Sequence, residues 1–147
     1  MAALNEEQTI LRDMVREWAD NESPVTAFRK MRDAAPAEGY DPAAWATMAE
    51  MGLAGIVIPE EFGGTAFGYL SLGLVLEQLG RNLAASPLAA TSAAASAIVM
   101  GGSADAKSKW LPRIATGEVV ATLAIDEGPN HDPARVATTV TGGKLTG

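Results

Sequence analysis

The chain of 147 residues contains no cysteine, which excludes a disulfide scaffold and thiolate chemistry and fits a reducing cytosol. Histidine is almost absent: His131 stands alone, beside no G-x-S-x-G elbow, so neither a Ser/His/Asp triad nor a helical metal motif has its parts. Basic residues are few. Eleven Lys and Arg face 18 Asp and Glu, a formal charge of −7, and the missing basic cluster argues against nucleic acid. Long greasy runs are missing too. The stretch "LAASPLAATSAAASAIVM" is interrupted by Pro87 and hydroxyls, and the opening "MAALNEEQTILRDMV" has acids where a signal peptide needs positive charge. These absences read as a cytoplasmic protein with no membrane span.

What is present is a helical composition. Apolar residues make up 48% and charged residues 20%, with abundant alanine and only 5% aromatics, as closely packed helices require. Helix punctuation is explicit. Asn5 with Gln8 forms a capping-box pattern, followed by Ile10, Leu11, Met14, Val15 and Trp18 at one-face spacing. Ser23-Pro24 and Asp41-Pro42 each place a proline at a first helical position. Leu72, Val75, Leu76 and Leu79 continue the pattern, an alanine-rich helix spans about Pro87 to Met100, and Ser103 or Asp105 caps another. Pro112 is expected to divide that last segment.

Beyond residue 117 the texture changes. "EVVATLAID" (118–126) is β-branched, and "RVATTVTGGKLTG" alternates around Gly142-Gly143; both are strand signals. A few strands do not stand alone. The chain therefore reads as a helical domain, 1–117, followed by the first strands, 118–147, of a β domain whose remainder is missing.

Three groups could carry chemistry. The loop "GGTAFG" lacks phosphate-loop patterns, so on its residues alone it is a glycine-permitted turn, lining an apolar ligand or packing a core. Glu60-Glu61 and Asp126-Glu127 are paired acids whose default role is surface or capping, with acid/base work as the alternative. His131 is either a solvated loop residue or a cofactor contact.

Taken in order, "MGLAGIVIPEEFGG" (51–64), "VLEQLGRNLAASPL" (75–88) and "GGSADAKSKWLPRIATGEVVATLAIDE" (101–127) resemble the acyl-CoA dehydrogenases, across almost the whole chain. The resemblance implies an N-terminal helical domain, a β-barrel-like middle domain and a C-terminal helical bundle. It implies FAD as cofactor, an acyl-CoA substrate, an electron-transferring flavoprotein as electron acceptor, and a homo- or hetero-oligomer. The catalytic glutamate would lie in the bundle, outside these residues. Leu123, Ile125, Asp126 and His131 would border the flavin, and Pro87, Leu88 and Thr91 the acyl tail. The family's T-E-P-x-x-G-S-D pattern has become "DEGPNHD", with Asp126 in place of threonine and Gly128 in place of proline. An ionised Asp126 beside a reduced, anionic flavin is repulsive.

Three readings follow: a catalytic FAD-dependent acyl-CoA dehydrogenase, a non-catalytic paralogue paired with an active partner in a heteromer, and a stand-alone helical interaction module.

Overall fold

The computed structural model describes residues 3–128 and 132–147. Among the described residues six α-helices come first: α1 (Glu6–Glu22), α2 (Val25–Ala34), α3 (Pro42–Glu50), α4 (Gly68–Arg81), α5 (Leu88–Gly101) and α6 (Ala104–Ala115). A short antiparallel hairpin, β1 (Thr139–Thr141) and β2 (Lys144–Thr146), follows. The fold is mainly α with a C-terminal hairpin.

The helix starts follow from local chemistry. The Asn5 side chain accepts from the Gln8 amide at 2.7 Å while Gln8 Oε1 accepts from the Asn5 amide at 3.1 Å, the reciprocal box that satisfies two orphan donors. Asp41 caps α3 with Pro42 as its first residue, and Ser103 caps α6. Pro24 sits one position earlier than expected, as the cap of α2, which therefore begins without a side-chain hydrogen bond.

Two cores are built. The larger joins Leu11, Val15 and Ala19 of α1 with Trp45 and Met48 of α3, Val75 and Leu79 of α4, Leu88, and Leu53, Ala54 and Ile56. The smaller gathers Ile58, Ala95, Leu111, Ile114 and Ala115. α1 lies along α4, and Asn82 Nδ2 donates to Asp20 Oδ1 at 3.0 Å where both helices end. This contact corrects the expected α1 face. Ala19 replaces Ile10 and Met14 in the interior, which are 61% and 38% exposed, because α4 meets the Leu11–Val15–Ala19 stripe.

α6 also departs from expectation, since it runs through Pro112 unbroken. The proline lies in the last turn and forfeits one amide bond. Complete burial of Leu111 and near-complete burial of Ile114 hold the helix against that loss. The turn after α6 is tied back across the molecule: Trp45 Nε1 donates to the Gly117 carbonyl at 3.0 Å. Trp45→Phe removes this bond while keeping most of the ring's burial, and a loss of about 1 kcal/mol is expected in urea unfolding.

The apolar run 53–58 is neither helix nor strand. It forms a tight 3-10 turn at Leu53–Gly55, and the glycine loop folds back over it. Thr65 N, Ala66 N and Gly68 N donate to the carbonyls of Gly55, Ile58 and Ile56, each at 3.1 Å. Residues 118–126 form no ladder. Strand pairing needs a hydrogen-bonded neighbour, and the strand paired with β1 is β2, in register Thr139 with Thr146 and Thr141 with Lys144. Gly142 and Gly143 both take positive φ, 58° and 74°, the primed turn that a two-residue hairpin loop requires.

Candidate functional site

The start of α5 and the extended segment after α6 meet. The Thr91 hydroxyl donates to the Ala121 carbonyl at 3.3 Å, joining the element expected to face the acyl tail to the one expected to face the cofactor. Local structure explains the turn before α5. Ser86 Oγ accepts from the Leu88 amide at 3.1 Å, which starts the helix just after Pro87. Pro87 is half-buried, whereas Leu88 and Thr91 have no exposed surface, Leu88 within the larger core.

The segment beyond Ala121 presents the opposite character. Leu123 and Ile125 are 46% and 56% exposed, and among the described residues no hydrogen bond engages the backbone groups of residues 122–125. Its entry is anchored. The Arg113 guanidinium lies 2.7 Å from Glu118 Oε1, and this hydrogen-bonded pairing raises the Arg113 pKa. Its exit is anchored by Glu127, whose carboxylate oxygens accept from the Ala137 and Thr138 amides at 2.5 and 2.8 Å. The Thr138 hydroxyl and these two amides hold the Glu127 carboxyl below the ordinary carboxylate range. Asp126 is exposed next to it, and His131 lies outside the described residues.

An exposed segment with open peptide groups and two apolar side chains suits the edge of a planar aromatic cofactor. The Asp126 carboxylate does not suit a ring that gains negative charge on reduction, so the fit to flavin is met by the backbone and opposed by this side chain. Glu60 and Glu61 are exposed in a 3-10 turn. Among the described residues no group of His, Asp and Glu could hold a metal, and no helix is long and apolar enough to cross a membrane.

Sequence reasoning missed three things here. Ser92, next to Thr91, is 1% exposed, and its hydroxyl has no partner among the described residues. The Thr91–Ala121 bond and the Glu127 contacts also went unforeseen. No local signal marks these contacts, because each joins residues at least ten positions apart.

Comparison with known proteins agrees with this architecture. Residues 5–118 match the acyl-CoA dehydrogenase N-terminal domain. The chain is 36% identical over 133 residues to (2S)-methylsuccinyl-CoA dehydrogenase of Cereibacter sphaeroides, covering 88% of this chain and 23% of that protein. Among solved structures it superimposes on the Tcur3481-Tcur3483 steroid ACAD with a TM-score of 0.85 and 31% identity, covering 97% of this chain and 40% of the other. It matches the ChsE4-ChsE5 complex of Mycobacterium tuberculosis with a TM-score of 0.83 and 27% identity, covering 100% of this chain and 40% of that one. The chain thus spans less than half the length of each of these relatives. Its helical order, its glycine loop folded on the buried run and its matched residues make it a member of the acyl-CoA dehydrogenase family.

Proposed function

We propose that this chain is the N-terminal part of a non-catalytic paralogue subunit in a heteromeric acyl-CoA dehydrogenase, with residues 1–117 as its helical domain and 118–147 opening its middle domain. The observation that carries the reading is the acidic start of the loop, Asp126-Glu127-Gly128, where the family resemblance calls for Thr-Glu-Pro. A carboxylate at the flavin edge disfavours the reduced cofactor, so this subunit's own site is a poor place for the redox step. The likeness to the ChsE4-ChsE5 complex, whose name joins two different subunits, supports a heteromer. In the assembly the active partner would supply the base for an acyl-CoA substrate, and FAD bound there would provide the hydride-accepting chemistry, with an electron-transferring flavoprotein as electron acceptor. This chain contributes packed walls: the Thr91–Ala121 junction and the exposed segment 122–125.

The test is purification of the full-length protein alone and with the product of the adjacent gene. Flavin is expected only in the mixture, and Asp126→Thr is expected to raise the flavin retained by the protein alone. A yellow protein that is bleached by an acyl-CoA without any partner overturns the reading. That outcome would support the catalytic alternative, which the likeness to (2S)-methylsuccinyl-CoA dehydrogenase and the open backbone of 122–125 favour.

A further inference from the structure

We propose that Glu127 is a positioning residue, its carboxylate latching the end of the exposed segment to the start of the hairpin and so fixing how Asp126 and β1 are presented. Glu127 Oε2 and Oε1 accept from the consecutive amides of Ala137 and Thr138, ten and eleven residues along the chain. Two adjacent peptide donors converge on one side chain, the arrangement by which consecutive backbone amides hold an anion. The next residue, Thr139, begins β1.

Only a carboxylate does this well. It offers two acceptor oxygens and no donor, whereas an amide offers one acceptor and turns an N–H₂ towards the second peptide N–H. The charge also strengthens both bonds, as in other carboxylate-to-amide contacts. Inside the closed loop a separate pairing stiffens the chain: Arg135 Nε lies 3.1 Å from Asp132 Oδ2, and Asp132 Oδ1 accepts from the Ala134 amide at 3.1 Å. Glu127 thus ties residue 127 to residues 137 and 138, and Asp132 braces residues 132–135. Asp126 immediately precedes the clamp.

The latch rests on chain geometry. Only its consequence for flavin rests on the function proposed above. The experiment measures residue-resolved amide exchange in the full-length protein, purified with its partner, for the unmodified chain, Glu127→Gln and Glu127→Ala. Exchange at Ala137 and Thr138 is expected to accelerate about tenfold in Glu127→Ala, and at one of the two amides in Glu127→Gln, while α1 to α6 keep their protection. Unchanged exchange at both amides in Glu127→Ala overturns the latch. Flavin content of the same preparations separates the two ideas. Freed amides with lower flavin support both, and freed amides with unchanged flavin keep the latch while removing the loop from the cofactor's wall.

Discussion

Gly64→Ala is expected to destabilise the helical domain by about 3 kcal/mol or more, an effect in the range of severe core overpacking. A Cβ on residue 64 would stand 2.0 Å from the Ile58 carbonyl oxygen and 2.5 Å from its carbon, closer than any real contact. These atoms are backbone and do not swing aside. Ile58 itself is completely buried in the smaller core. Relief requires lifting the loop off the 55–58 run, which strains the bonds from Thr65, Ala66 and Gly68 together. Each is worth about 1 kcal/mol net. The neighbouring Gly63 provides the control. A Cβ there meets nothing within 4 Å, but its φ of 81° is left-handed, so Gly63→Ala is expected to cost only about 1–2 kcal/mol. Urea unfolding of both variants decides the matter. Equal losses would mean that close approach of backbone to backbone is not what residue 64 supplies.

The glycine loop also marks where sequence reasoning reaches its limit. Its residues alone left pocket lining and core packing open, and the structure shows three backbone bonds that zip it onto a buried run. Those bonds join residues eight to twelve apart through turns with no regular period, so hydrophobic periodicity does not register them. The helix caps were legible because Asn5–Gln8, Asp41–Ala43 and Ser103–Ala106 act within three residues. The Gly142-Gly143 turn was legible because positive φ at two consecutive positions nearly demands glycine. The face of α1 was misread in part because Ile10, Met14 and Leu11, Val15 both satisfy helical spacing. The partner helix α4 chose between them, burying the small Ala19 and leaving Ile10 in solvent. At the candidate site, composition showed the Asp126-Glu127 pair and suggested a surface or capping role for it. The two amides that Glu127 holds lie across a loop, out of reach of any local pattern.

Leu88→Ala carries the other large effect, an expected loss of about 3 kcal/mol of stability, and it bears directly on what the turn before α5 does. The resemblance gives Leu88 to the acyl tail. In the folded chain its side chain is completely buried within the core shared by α1, α3 and α4, together with Val15, Met48 and Val75. Truncation removes three heavy atoms from a side chain with no exposed surface, so both the transfer term and a residual cavity count against the variant. Leu88→Met, which conserves volume, is expected to cost less than about 1.5 kcal/mol. A residue that chiefly lined an open ligand channel would behave differently: its truncation would alter acyl-CoA affinity with little change in the unfolding midpoint. Measuring both quantities on the full-length assembly separates these roles. A Leu88→Ala protein as stable as the parent would show that this position faces a cavity in the complete molecule. The expected fall in stability would make Leu88 the fixed floor on which the Thr91–Ala121 junction stands, since α5 is held to the helical core at Leu88 and to the segment after α6 at Thr91, one turn later.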